Sequence, residues 1–105
     1  MDASADPILA RFRAALDKVY GARLERVVLF GSRARGDERP DSDYDIAVFL
    51  KDPESFWTES GRLAEIETDL LYETGAVINA LPLRVGLDPG RNPLMREIVR
   101  EGRDL

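Results

Sequence analysis

Hydrophobic and polar positions change period several times along the chain, and each change predicts an element. After Asp6-Pro7, the apolar residues Ile8, Leu9, Phe12, Leu16 and Val19 recur at helical spacing; Pro7 suits the first turn and Gly21 the end. Leu24 to Phe30 is apolar and rich in β-branched residues, a strand that Gly31-Ser32 breaks. Arg33 to Arg35 fit a short helical turn, and Pro40-Asp41 continue the loop. From Asp43 to Leu50 the period is two. Asp43, Asp45, Ala47 and Phe49 fall on one side of this strand, and Tyr44, Ile46, Val48 and Leu50 on the other.

The second half repeats the alternation of helix and strand. Asp52-Pro53 marks a helix start and Gly75 a stop, with Phe56, Leu63, Ile66 and Leu70 tracing an apolar stripe that Trp57 and Leu71 extend. Ala76 to Val85 reads as a strand, and Pro82 places part of it on an edge or bulge. Asp88-Pro89-Gly90 is a turn, and Asn92-Pro93 opens a last helix carrying Leu94, Met95, Ile98 and Val99, closed by Gly102. The order helix, strand, strand, helix, strand, helix predicts an α+β domain, a small mixed sheet with helices packed on it. At 105 residues the chain is expected to form one domain, residues 1–105.

Composition narrows the chemistry. With no cysteine there is neither a disulfide frame nor a thiolate metal site, and with no histidine neither Ser-His catalysis nor an imidazole ligand. A catalytic metal would therefore take oxygen ligands, which suits Mg²⁺ or Mn²⁺ rather than Zn²⁺. A net charge of −5 argues against bulk binding of nucleic acid, although Arg33, Arg35 and Arg39 sit close together. No apolar run is long enough to cross a bilayer and no signal peptide opens the chain, so a cytoplasmic protein without membrane association is expected.

Two features carry candidate chemistry. A Gly-Ser pair directly after a buried strand can offer backbone N–H groups to a phosphate. Gly31 lets the ligand approach the backbone, Ser32 adds a hydroxyl, and a helical turn opening at Ser32 would favour an anion. Gly-Ser is also a common turn. Asp43 and Asp45, two apart on a strand, face the same way at roughly 6.5–7 Å, and two carboxylates there can grip a divalent cation that relieves their repulsion. The plain alternative is a frayed strand start whose aspartates serve the turn. If the connection folds back, the end of the first strand lies beside the start of the second, and phosphate donors meet metal ligands at one rim.

In that combination, "LFGSRARG" followed by "SDYDIAVFL", the chain resembles the minimal nucleotidyltransferase domains of the DNA polymerase β superfamily. The motif covers Leu29 to Leu50, and the size and order of the other elements agree over nearly the whole chain. The resemblance implies the polymerase β-like palm fold, with Gly31 and Ser32 holding the triphosphate of a nucleotide and Asp43 and Asp45 holding Mg²⁺. It further implies transfer of a nucleoside monophosphate, with ATP the expected donor, to an acceptor hydroxyl with release of pyrophosphate. Arg33 and Arg35 would neutralise phosphate charge, or would be solvated loop arginines; Ser42 would cap the turn.

Active members of that family usually carry a third carboxylate on a later strand, and here the chain departs from them. "GAVINALPLRV" holds no Asp or Glu, and Asn79 offers the one neutral side-chain oxygen of its interior, a possible metal ligand but a poor base. Glu67, Asp69 and Glu73 belong to the preceding helix and are expected on its wet face. Two readings follow. In the first, the domain is the antitoxin of a toxin–antitoxin pair, transferring AMP to a tyrosine of an all-helical HEPN toxin. In the second, it is a catalytically weak or inactive module of the same fold that neutralises its partner by contact. Transfer to a small molecule such as an aminoglycoside fits less well, because no second domain is present to form that site.

Overall fold

Asp6 stands just ahead of the first helix, and its carboxylate accepts the backbone N–H of Ile8 at 2.8 Å. This satisfies one of the donors that a helix start leaves open. The computed structural model describes residues 6–86, 90 and 92–105. In it α1 spans Pro7–Tyr20, β1 Leu24–Phe30, α2 Ser32–Arg35, β2 Tyr44–Leu50, α3 Phe56–Thr74, β3 Ile78–Arg84, α4 Pro93–Glu101 and β4 Arg103–Asp104. Asp88 and Pro89 of the expected turn lie outside the described residues. Among those described, no helix is long and apolar enough to cross a membrane.

The architecture is the α+β arrangement expected, a four-stranded mixed sheet ordered β3-β2-β1-β4 with helices on it. β1 and β2 run antiparallel with Phe30 opposite Asp45, so the connection does fold back. β2 and β3 run parallel with Asp45 opposite Asn79, a pairing that needs a long crossover, here α3. The fourth strand has no counterpart in the hydrophobic pattern. Arg103-Asp104 becomes a strand because the chain turns at Gly102 and lays these residues against Val28 and Leu29.

Alternation along the strands builds a core on each face of the sheet. Val27, Leu29, Tyr44, Ile46, Val48, Leu50 and Ile78 pack with Leu9, Phe12 and Leu16 of α1 and Leu63, Ile66 and Leu70 of α3. Val28, Ala47 and Phe49 pack on the other side with Met95 and Ile98 of α4. Some apolar positions do not take part. Val19, Leu71 and Val99 are exposed, as are Phe56 and Trp57, the latter at 81%. Tyr20 takes the buried place that periodicity assigns to Val19.

Phe56 and Trp57 stay outside because α3 starts later than Asp52-Pro53. Asp52 sits at φ +45°, off the helical path, and Ser55 is the residue that caps the helix, accepting the N–H of Thr58 at 3.1 Å. The first buried contact of α3 is then Glu59, fully enclosed and bonded to Arg23 at 2.7 Å, Arg62 at 2.9 Å and the N–H of Glu54 at 2.9 Å. Burial works to raise its carboxyl pKa. The Glu54 N–H and the two guanidinium groups outweigh burial and leave it below the ordinary range.

Glu67, expected in water, is instead half-buried. Its carboxylate accepts the N–H of Ala80 at 2.9 Å, on the open side of the edge strand β3. Two residues on, Pro82 has no N–H, so acid and proline together leave that edge with few free donors, as exposed sheet edges require. Burial raises the Glu67 pKa above its ordinary 4.5, and the Ala80 N–H offsets this only in part. An acid whose pKa is raised by folding contributes most to stability below its unfolded pKa and loses that contribution as pH rises through the folded value. Glu67→Gln keeps an acceptor for Ala80 without the penalised charge. It is therefore expected to melt above the parent at pH 7, with the gap closing below pH 4.5; a pH series of thermal melts checks this.

Candidate functional site

β1 ends just before Gly31, which takes φ +77° and ψ −158°, a conformation other residues avoid. Space also demands glycine there, since a Cβ would lie 2.5 Å from Oδ2 of Asp45. The carbonyl of Gly31 accepts the N–H groups of Ala34 and Arg35, both at 3.1 Å, which closes the single turn of α2. The N–H groups of Ser32 and Arg33 open that turn and, like all first helical donors, have no acceptor within it. The glycine turn and the Asp45 carboxylate are thus in direct contact.

Asp43 is exposed and stands one residue before β2, so the strand starts later than its alternation suggests. Asp45 is half-buried, with Asn79 opposite it on β3. Asn79 Nδ2 donates to Oδ2 of Asp43 at 3.0 Å, which draws the two aspartates and the asparagine into one group. Every side-chain donor atom that this group could lend a cation is oxygen, the set preferred by a hard divalent ion. The described residues contain no cluster of three or more His, Cys, Asp or Glu side chains able to hold a metal. A cation here would complete its shell with ligand phosphates and water, which is the usual habit of Mg²⁺. The donor set fits.

The two candidate arginines are both engaged within the protein. Arg33 directs Nε and Nη2 to the carbonyl oxygen of Ser42, at 3.0 and 2.8 Å, and lies 3.9 Å over the ring of Tyr44. Arg35 bonds Asp37 at 3.0 Å and Glu101 at 3.1 Å, with Glu97 at 3.7 Å, tying α2 to α4. Ser42 closes its own turn, its Oγ accepting the N–H of Arg39 at 2.8 Å. Alternation places Tyr44 only in the core. Its hydroxyl in fact donates to Asp6 at 2.8 Å, and burial together with that carboxylate pushes its pKa up to about 12. Asp6 therefore caps α1 and anchors the start of β2 at once; no local pattern signals a contact made across 38 residues.

Residues 9–93 match the sequence profile of the nucleotidyltransferase domain family. The chain belongs to that family. A protein of Methanocaldococcus jannaschii, provisionally named a protein adenylyltransferase, is 36% identical over 70% of this chain and 67% of its own length. A solved structure assigned provisionally as a minimal nucleotidyltransferase superposes with a TM-score of 0.59 at 26% identity, covering 100% of this chain and 97% of the other. The MNT antitoxin complex with the tri-AMPylated HEPN toxin of Shewanella oneidensis gives a TM-score of 0.52 at 18% identity, over 89% of this chain and 70% of the other. At that identity the likeness is one of fold. Within the nucleotidyltransferase fold of this domain, the Gly31 turn, Asp43 and Asp45 lie together at one rim of the sheet.

Proposed function

We propose that this nucleotidyltransferase domain is a Mg²⁺-dependent transferase that moves AMP from ATP to a tyrosine hydroxyl of an all-helical HEPN toxin, acting as its antitoxin. The contact between Gly31 and Asp45 carries this reading, since it sets an anion cradle against an acidic ligand pair. The N–H groups of Ser32 and Arg33 would receive the nucleotide's phosphates, and the absent Gly31 side chain leaves room for them beside Asp45. Asp43 and Asp45 would hold the cation. When bound, Mg²⁺ supplies charge neutralisation at the phosphates and at the attacking and leaving oxygens. The acceptor oxygen bonds to the α-phosphorus, the bond from that phosphorus to the bridging oxygen breaks, pyrophosphate departs, and the hydroxyl proton passes to solvent. The complex of an MNT antitoxin with a tri-AMPylated HEPN toxin, which shares this fold, supports a HEPN toxin as the partner that receives AMP.

A specific observation favours the second reading, a module that neutralises by contact. Opposite Asp45 on β3, where a third carboxylate would add charge, stands Asn79, and its amide donates to Asp43. An amide brings neither charge nor basicity, and losing such a contribution costs orders of magnitude in rate. Incubation of the domain with ATP, Mg²⁺ and the product of a neighbouring gene, read by intact mass, separates the two. Mass increments of AMP on the partner, lost with Asp43→Ala, establish transfer. Neutralisation that survives Asp43→Ala and Asp45→Ala without any increment establishes the contact module.

A further inference from the structure

Arg33 is two residues from Gly31 in the same turn, and its side chain reaches the residues on both sides of Asp43. Nε and Nη2 share the carbonyl oxygen of Ser42, and the guanidinium plane covers the ring of Tyr44. Tyr44 is itself held by Asp6, and Ser42 by Arg39 through both its N–H and its Oγ. Asp43 is the exposed residue between these fixed points, and its carboxylate is bonded by the Asn79 amide.

We infer that Arg33 is a positioning residue for Asp43: it ties the Ser42 carbonyl and the Tyr44 ring, on either side of this carboxylate, to the Gly31-Ser32 turn, and does not itself bind phosphate. The inference deepens the proposed metal–nucleotide site and rests on it. Two of the three guanidinium nitrogens are committed to one carbonyl, and an aromatic ring covers one face. Turning toward a phosphate would strip the Ser42 carbonyl of both donors in a half-buried place, a loss that hydrogen-bond energetics disfavour. Only the planar fork of arginine can converge two N–H groups on one oxygen and lie over a ring at the same time.

The test uses Mn²⁺ alone, without nucleotide, titrated into the parent domain, Arg33→Gln and Arg33→Lys, with free Mn²⁺ read by electron paramagnetic resonance. Removing a nearby positive charge should tighten a cation site if charge is all that matters. Positioning predicts the opposite sign, a Kd about tenfold weaker for both variants, as for other supports behind metal ligands. Unchanged or tighter Mn²⁺ binding by Arg33→Gln overturns the inference, and so does full rescue by Arg33→Lys, which restores charge but not the fork. Parent protein that binds no Mn²⁺ overturns the underlying site reading instead, and is recognised because the parent itself fails. Should the variants not fold, the Nε–H resonance of Arg33 in the parent decides the matter. Retention of its position on addition of ATP and Mg²⁺ supports the Ser42 bond, and a large displacement marks a phosphate contact and overturns it.

Discussion

Asp45→Asn is expected to lower the proposed AMP transfer about a thousandfold, the scale on which removing a preorganised electrostatic partner acts, while leaving the melting temperature unchanged or slightly higher. The two halves of this result come from the same geometry. Asp45 lies against Gly31 and shares its side of the strand with Asp43, so in the proposed reading its charge serves a cation and phosphates and holds no partner of the fold. The amide is nearly the same size, so the contact with Gly31 is kept. Single-turnover transfer followed by intact mass gives the rate, and a thermal melt gives the stability. A variant that loses stability along with activity would show that Asp45 holds the fold together, and the site reading would fall.

Gly31→Ala is expected to act on both at once. The backbone conformation at φ +77° is one that a residue with a Cβ holds only at a cost of about 2 kcal/mol. The new methyl group would also have to displace the Asp45 carboxylate, which lies 2.5 Å from where it would sit. Nucleotide affinity in Mg²⁺ should drop about tenfold or more, the scale on which disturbing the support of a metal ligand acts. Denaturant titration and calorimetric nucleotide binding measure the two effects. A Gly31→Ala variant with the parent's stability would mean that the end of β1 has room to spare, and the close approach that defines the cradle would be wrong.

Much of this protein is legible in the chain because its signals are local. Asp6-Pro7 and Asn92-Pro93 open helices and Gly21, Gly75 and Gly102 close them, through capping contacts made within a few residues. The alternation from Asp43 to Leu50 assigns each residue to a face because strand geometry leaves no other choice. Those signals, with Gly-Ser before and Asp-X-Asp after a short loop, lead to the expectation that Gly31 lies beside Asp45 if the connection folds back, as it does.

Tertiary contacts decided the rest. Periodicity gives Trp57 a place in the core, but Asp52 at φ +45° delays α3 until Ser55, and the start of the helix buries Glu59 instead. Glu67 looks like any wet helical acid until the edge of β3 is set beside it, and Arg103-Asp104 become a strand only against β1. Next to Gly-Ser, Arg33 reads either as a phosphate ligand or as a solvated loop arginine, and only the folded loop shows its contacts with Ser42 and Tyr44. In each case the deciding contact is made by a group outside the local pattern. A residue's own neighbours determine its backbone state and its face; which group meets its side chain is determined by packing, and packing is a property of the whole domain.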